Sequence, residues 1–204
     1  MKLYGAPMPA PNPRRVRIFL AEKGVDLPET PVDMMKREHK SPEHRARNSL
    51  GQVPTLELDD GTHISETVAI CRYFEEVRPE PSLFGRTAAE KANVDMWVRR
   101  IEFQLMTPVG NFWRHAHPRT AALLTQYKDF GESNREAYSN AQKWLDRELS
   151  DGRPFIAGQA YSMADICALS TADFADWIGL PLEDDKPHLK AWRERVTARP
   201  SSGA

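Results

Sequence analysis

The stretch NSLGQVPTLELDDGTHISETVAICRYFEE, residues 48–76, holds two extended runs, a turn and a helical run in close succession. The runs VPTLEL and HIS flank DDG, and Asp and Gly tolerate the positive φ that tight hairpin turns require. From residue 66 to 77 apolar side chains recur at helical spacing, which predicts an amphipathic helix. The stretch therefore predicts a β-hairpin followed by a helix, as in an α/β domain.

The rest of residues 1–78 continues this alternation. KLY predicts a first strand, residues 14–23 a helix and TPVDMM a second strand. RPEPSLFGR, residues 78–86, combines two prolines with a glycine and indicates a linker. Beyond it the apolar residues follow helical stripes: Val94, Trp97, Val98, Ile101 and Leu105; Ala137, Ala141, Trp144 and Leu145, with Glu148 at the same spacing; Leu189, Trp192 and Val196. The predicted fold class is α/β plus all-α, with an α/β domain at 1–78, a linker at 79–86 and an all-helical domain at 87–204.

Composition and charge exclude several classes of protein. The 204 residues carry a net charge of −1 with both signs interspersed, so nucleic acid is not an expected partner. No apolar run approaches the roughly 20 residues of a membrane span, and the N-terminus lacks a secretory apolar core. We therefore expect a cytoplasmic protein without a membrane segment. The two cysteines, Cys71 and Cys167, and the pair His115 and His117 have spacings that favour neither a disulfide nor a metal site.

The segment PMPAPNP, residues 7–13, has a proline at every second position before a strongly helical run. Asn12 followed by Pro13 is typical of a helix start, with Asn12 as N-cap and Pro13 at the first helical position, while Gly24 ends the helix. The helix start would then lie open at the end of a strand, where unpaired N–H groups and the helix dipole favour an anion or an anionic sulfur. A plain N-cap explains Asn12 without any further function.

The motifs GQVP, residues 51–54, and ETVAI, residues 66–70, resemble the signature of the glutathione transferase family. LYGAPMPAPNPRRVRIFLAEKG, REHKSPEHRARN and FIAGQAYSMADICAL resemble other parts of that family, and in the last of these Ser162 and Asp165 have the spacing of a capping box. The resemblance implies a thioredoxin-like N-terminal domain, an all-helical C-terminal domain, glutathione as co-substrate, no metal, and a homodimer.

The resemblance also assigns residues that bind glutathione. Gln52, Val53 and Pro54 stand in the strand segment that pairs with the tripeptide, since Val53 can offer its N–H and C=O to a peptide, and the Val53–Pro54 bond is expected to be cis. The remaining assignments follow the charges of the tripeptide: Glu66 for the ammonium, Thr67 for the γ-glutamyl carboxylate, His39 and Lys40 for the glycyl carboxylate. Without the resemblance, Ser65 or Thr67 reads as a helix cap, Glu66 as a first-turn acid, and KREHK as a solvated basic loop.

The chain departs from the family where the chemistry takes place. Many members set a serine or tyrosine hydroxyl beside the glutathione sulfur, but no hydroxyl occurs between Tyr4 and Thr30, and Ala10 or Pro9 stands near the common serine position. Tyr4 lies within the first strand and reads as a core aromatic residue. Asn12 resembles the amide that contacts the sulfur in one bacterial and fungal branch, and an amide N–H at a helix start lowers the pKa of a thiol.

An electrophile pocket is expected beside the sulfur. Its candidates are Met8 of the proline-rich loop and, from LMTPVGNFWRH, the residues Met106, Gly110, Phe112, Trp113 and Arg114, although Met and aromatic stripes are also typical of plain core. Pro108 is expected to kink this helix.

These observations predict a glutathione transferase whose bound glutathione thiolate attacks a small apolar electrophile or a disulfide. The alternatives are a non-enzymatic relative that serves as a binding or assembly module, and a glutathione-dependent isomerase or lyase. No hydrolase, phosphate-loop or dinucleotide motif is present.

Overall fold

The structure is a computed structural model that describes residues 1–204. The residues cluster into two units, one of Met1–Leu83 together with Ser201–Ala204, the other of Phe84–Pro200. The domain limits expected from the sequence, 1–78 and 87–204, stay a prediction. No helix in either unit is both long enough and apolar enough to cross a membrane.

The first unit is built on a four-stranded mixed sheet. Its strands are β1 (Lys2–Gly5), β2 (Glu29–Pro31), β3 (Thr55–Glu57) and β4 (His63–Ser65), in the spatial order β2-β1-β3-β4. β2 runs parallel to β1, whereas β3 is antiparallel to both β1 and β4. The predicted hairpin therefore forms between β3 and β4.

The second strand is shorter than the predicted TPVDMM. Beyond Pro31 the chain turns, because the Asp33 carboxylate accepts hydrogen bonds from the backbone N–H groups of Met35 and Lys36 at 2.9 and 3.0 Å. Such an Asx-type turn competes with extended pairing. This local bond is what the apolar pattern alone failed to indicate.

Three helices belong to the first unit: α1 (Pro11–Glu22), α2 (Pro42–Arg47) and α3 (Thr67–Val77). α1 buries Val16, Ile18 and Phe19 and packs against α3. Gly24 follows α1 with φ of +61°, and the N–H groups of Gly24 and Val25 donate to the carbonyls of Ala21 and Leu20. The predicted glycine end of this helix is confirmed as a Schellman motif.

A buried ion pair fastens the segment after α3 to the end of α1. Lys23 Nζ lies 2.5 Å from Glu75 Oε2 and donates to the Pro81 carbonyl at 2.6 Å, and its side chain is 0% exposed. Glu75 in turn accepts from the Leu83 N–H at 3.0 Å. The chain therefore leaves the first unit from a fixed position.

The last residues of the sequence also belong to the first unit. Arg14 Nη2 donates to the Ser202 carbonyl at 2.7 Å, and the Ser201 hydroxyl donates to Glu22. Residues 201–204 therefore belong to the same unit as α1, although they follow the second unit in the sequence.

The second unit is helical, as predicted. Its helices are α4 (Ala88–Arg100), α5 (Thr107–His115), α6 (Lys128–Glu148), α7 (Met163–Trp177) and α8 (Pro187–Thr197). Between α4 and α5 the chain winds as a wider π-helix over Ile101–Met106, where the Thr107 N–H donates to the Glu102 carbonyl five residues back. Pro108 follows at once, and because it lacks an N–H it cannot continue an ordinary α-helical ladder. The expected kink at Pro108 stays a prediction.

One predicted stripe is displaced. On α6 the buried residues are Gly131, Asn134, Tyr138, Ala141, Gln142 and Leu145, while Ala137 is exposed and Trp144 and Glu148 are half-buried. Asn134 and Gln142 can be buried because their amides donate to carbonyls, that of Phe130 for Asn134 and that of Pro181 for Gln142. The buried face of α6 therefore includes hydrogen-bonded polar residues and differs from the face that apolar spacing predicted.

The predicted capping box at the start of α7 is confirmed. The fully buried Asp165 carboxylate accepts from the Ile156 N–H, the Ser162 N–H, the Ser162 hydroxyl and the Trp192 Nε1–H, all at 2.8–3.0 Å. Burial raises the pKa of Asp165, and these four donors oppose that rise. This one side chain ties the N-cap residue of α7 to Ile156 and Trp192.

Candidate functional site

The sheet register brings the separate sequence motifs to one end of the first unit. Tyr4 on β1 pairs with Thr55 on β3, and Thr55 pairs with Ser65 on β4. Neighbouring strands lie about 5 Å apart. The loop after β1, the residues before β3 and the residues after β4 therefore emerge side by side.

The start of α1 differs from the prediction in its first residue. α1 begins at Pro11 with Ala10 as N-cap, so Asn12 is the second helical residue and does not cap the helix. The fixed φ of Pro11 already suits the first helical position, which is why the helix starts before Asn12. Pro11 and Pro13 lack N–H groups and the Arg14 N–H is turned to the Ala10 carbonyl. The Asn12 N–H and its carboxamide, which makes no hydrogen bond within the chain, are the polar donors left at this helix start.

Tyr4 is engaged in the core. It is 5% exposed, its hydroxyl donates to Glu57 Oε2 at 2.8 Å, and the Arg47 guanidinium lies 4.3 Å from its ring centroid. Asn12 is thus the one polar side chain in the sequence from Gly5 to Pro13. Met8 in the same loop is 52% exposed.

The residues before β3 form a turn in which the N–H and the C=O of Val53 are both unpaired. Val53–Pro54 is cis, as expected, and β3 starts only at Thr55, so Val53 precedes the strand rather than opening it. No hydrogen bond within the chain uses the Val53 N–H or C=O. Gly51 has φ of +57°, and a Cβ there would lie 2.6 Å from the His39 carbonyl oxygen, so glycine is required.

His39 and Lys40 lie beside this turn, in a short 3₁₀ turn at Glu38–Lys40. Lys40 Nζ donates to the carbonyls of Leu50 and Gly51 at 3.0 and 2.7 Å, so it holds the turn. His39 Nδ1 is buried without a hydrogen-bond partner. Burial and the cationic neighbours Lys40, His44 and Arg37 lower the pKa of His39, which leaves its ring neutral near pH 7.

The start of α3 is open and strained. Glu66 occupies the N-cap position with φ of +68° and ψ of 120°, a region that costs a non-glycine residue of order 1–3 kcal/mol. No side chain caps the helix, so the expectation of Ser65 or Thr67 as cap is wrong. Thr67 is instead the first helical residue, and the N–H groups of Thr67, Val68 and Ala69 have no partner within the chain. Such a start binds carboxylates well.

The other candidates for the electrophile pocket all lie in the second unit. Met106 ends the π-helix, and Gly110, Trp113 and Arg114 follow on α5 at spacings that share one helix face. Trp113 is half-buried in a cluster of rings, 4.7 Å from His117, 5.4 Å from Phe174 and 5.5 Å from Trp177 between centroids. Phe112 is buried at 2% exposure. The pocket assignment stays a prediction.

Sequence reasoning missed two buried polar residues next to Val53. His44 and Asn48 both contact the Gln52 carbonyl, His44 through Nε2 at 2.8 Å and Asn48 through Nδ2 at 3.0 Å. The only signal was a histidine within α2 and an asparagine directly after it. No three His, Cys, Asp or Glu side chains lie close enough together to hold a metal ion.

Comparison with known proteins finds matches to segments of both units. The family models for the glutathione S-transferase N-terminal and C-terminal domains match residues 10–77 and 125–200. Glutathione S-transferase 2 of Saccharomyces cerevisiae is 38% identical over 98% of this chain and 87% of its own. A glutathione S-transferase domain-containing protein of Marinobacter aquaeolei superposes with a TM-score of 0.92 at 38% identity, covering 99% of this chain and 100% of its own. A structure of glutathione S-transferase-I bound with lactoylglutathione superposes at 0.83, with 29% identity, over 99% of this chain and 96% of its own.

Proposed function

The chain belongs to the glutathione S-transferase family, and we propose that its bound glutathione attacks from a thiolate held at the start of α1. The fold is the thioredoxin-like domain followed by an all-helical domain that this family shares. The protein is a glutathione transferase, with glutathione as substrate.

The observation that carries the proposal is the convergence of unused polar groups at one end of the sheet. The Asn12 amide, the Val53 peptide group and the start of α3 each have hydrogen-bonding capacity that the chain does not use. They match the chemistry of a γ-glutamyl tripeptide, which presents a thiol, a peptide backbone and charged ends. Buried or half-buried polar groups are normally satisfied, so such a set supports a polar ligand.

Each group then has a role in binding. Val53 pairs with the backbone of glutathione, with Gln52 and Pro54 shaping the turn beside it. Thr67 and the free N–H groups of α3 take the γ-glutamyl carboxylate, and exposed Glu66 takes the ammonium. His39 takes the glycyl carboxylate, while Lys40, already bonded to two carbonyls, contributes its charge.

Asn12 is the proposed activator of the thiol. In the absence of a serine or tyrosine hydroxyl, its carboxamide and backbone N–H are the donors available to the sulfur. Hydrogen bonds to the charged form lower a thiol pKa, and the thiolate is the nucleophile. The electrophile is a small apolar molecule or a disulfide. We propose a homodimer in the cytoplasm as the working form, on the strength of the resemblance.

The test is the ultraviolet absorbance of the thiolate of bound glutathione, titrated over pH for the wild type and Asn12→Ala. We expect the bound thiol to ionise below its free pKa of about 8.5 to 9, and the variant to raise that value by about one unit. Glutathione bound with an unshifted thiol would favour a non-enzymatic binding module. An unchanged pKa in Asn12→Ala would remove Asn12 from the mechanism while leaving the rest of the site.

A further inference from the structure

The Gln52 carbonyl, one peptide before Val53, is held by three side chains. His44 Nε2 lies at 2.8 Å, Asn48 Nδ2 at 3.0 Å and Thr55 Oγ1 at 3.4 Å. All three residues are buried. Because a carbonyl only accepts, His44 Nε2 carries a hydrogen and donates it in this contact. A carbonyl has two lone pairs, so three converging donors leave it little freedom.

Asn48 fixes the turn from several directions. Its Oδ1 accepts from the Leu50 N–H at 3.1 Å, and its Nδ2 also donates to Thr55 Oγ1 at 3.3 Å. Its backbone carbonyl accepts from the Gly51 N–H at 2.7 Å. With Lys40 on the carbonyls of Leu50 and Gly51, three successive carbonyls of the turn are held by side chains. A turn needs far fewer bonds merely to exist.

Because the peptide bond is planar, fixing the Gln52 carbonyl also fixes the direction of the Val53 N–H. The Gln52 C=O and the Val53 N–H belong to one peptide unit, which is not among the cis bonds of the chain. In a trans peptide the two groups point in opposite directions. Donors that pull the Gln52 oxygen toward His44 and Asn48 therefore aim the Val53 N–H away from them, where it has no partner within the chain.

We infer that His44, Asn48 and Thr55 are positioning residues that present the Val53 peptide group to the backbone of glutathione. This inference rests on the proposed function. It goes beyond it because none of the three residues needs to touch glutathione. Their effect falls on the binding of the tripeptide and not on the electrophile or the chemical step.

The experiment compares Asn48→Asp, His44→Leu and His44→Gln in steady-state kinetics with glutathione and chlorodinitrobenzene. Asn48→Asp keeps the size of the side chain but turns a carboxylate oxygen toward the Gln52 carbonyl in place of a donor. We expect it and His44→Leu to raise KM for glutathione about tenfold, since small misplacements of a binding group are costly, with kcat at saturating glutathione within about twofold. KM for chlorodinitrobenzene should stay unchanged. His44→Gln restores an N–H donor and should recover part of the glutathione KM.

Asn93→Asp is the matched control. Asn93 Nδ2 donates to the Ala157 carbonyl at 2.6 Å in the second unit, so this variant loses the same kind of bond away from the proposed site. We expect it to lower Tm and leave KM for glutathione unchanged. The amide resonance of Val53 gives an independent readout: glutathione should shift it in the wild type and in Asn93→Asp, and much less in His44→Leu.

The outcomes separate the two claims. If His44→Leu and Asn48→Asp lower Tm as Asn93→Asp does but keep the wild-type KM for glutathione, the three residues only stabilise the fold and the inference is overturned. If Asn48→Asp does not fold, the pair His44→Leu and His44→Gln decides alone. Wild-type protein that binds no glutathione in calorimetry would overturn the proposed function, and the inference with it.

Discussion

The starts of α1 and α3 in the first unit contrast with the starts of α4 and α7 in the second. α4 begins at a capping box in which Thr87 accepts from the Glu90 N–H at 3.2 Å, and the Glu90 carboxylate accepts from the Thr87 N–H. α7 begins at the Ser162–Asp165 box. α1 and α3 have no side-chain cap at all.

The difference teaches where a ligand is expected. A helix start leaves N–H groups without intrahelical partners, and proteins that need only stability satisfy them with their own side chains. Of these four starts, the two closed ones belong to the second unit, and the two open ones lie at the sheet end where Val53 also has free groups. The division is not general, since Ser41 caps α2 in the first unit and α6 in the second has no side-chain cap. Closed starts should therefore govern stability, and open starts should govern the binding of glutathione.

The largest effect is expected at the closed start of α7. Asp165→Ala leaves four buried donors without an acceptor, so the free energy of unfolding should fall by about 3 to 5 kcal/mol. Urea unfolding followed by tryptophan fluorescence measures this. Protein that remains folded should keep the wild-type KM for glutathione. A loss below about 1 kcal/mol would contradict the claim that the closed start of α7 governs stability.

At the open start of α3, Thr67→Val removes a hydroxyl that bonds to nothing within the chain. The free energy of unfolding should change by less than about 0.5 kcal/mol, while KM for glutathione rises about tenfold through the lost bond to a carboxylate. Kinetics and urea unfolding of the same preparation give both numbers, with Thr67→Ser as the control that keeps the hydroxyl. A stability loss without a change in KM would assign Thr67 to structure.

Glu66 allows a smaller and sharper test, because strain and charge can be separated. Glu66→Gly and Glu66→Ala both remove the carboxylate, but only glycine relieves the positive φ. We expect the glycine variant to be more stable than the alanine variant by about 1 kcal/mol, with both weakened equally in glutathione binding. Equal stabilities would mean that the backbone relaxes once the side chain is shortened.

The smallest expected effect is the pH dependence at His39. Burial, Lys40, His44 and Arg37 lower its pKa in the free protein, whereas a bound carboxylate raises it. Binding then takes up a proton, so affinity should increase a few-fold as the pH falls from about 7.5 to about 5.5. S-methylglutathione is the ligand for calorimetry, since its sulfur does not titrate. His39→Gln should abolish the dependence, and the same slope in both proteins would exclude His39.

The sequence predicted most of the fold because its signals are local and chemical. The DDG turn, the helix after residue 66, the Ser162–Asp165 box and the glycine after α1 each depend on a few adjacent residues. The errors arose where polar side chains bond to the backbone: Asp33 turns the chain after β2, and Asn134 and Gln142 are buried on α6. Apolar periodicity contains no information about such bonds.

The residues of the candidate site were likewise predicted only in part. The motifs GQVP and ETVAI pointed to the groups that would meet glutathione, and the strand register places them at one end of the sheet. The role of Asn12 as N-cap was wrong, because Pro11 already starts the helix. His44 and Asn48 were missed because their partner is a backbone carbonyl, which leaves no trace in a pattern of residue types.

The return of Ser201–Ala204 to the first unit bears on how the protein is made. The contacts of Arg14 with Ser202 and of Glu22 with Ser201 join α1 to residues that are synthesised after the entire second unit. At translation rates of about 5–20 residues per second, α1 waits on the order of ten seconds for them. During synthesis the glutathione-binding unit therefore lacks its contacts with residues 201–204 until the helical unit has been translated.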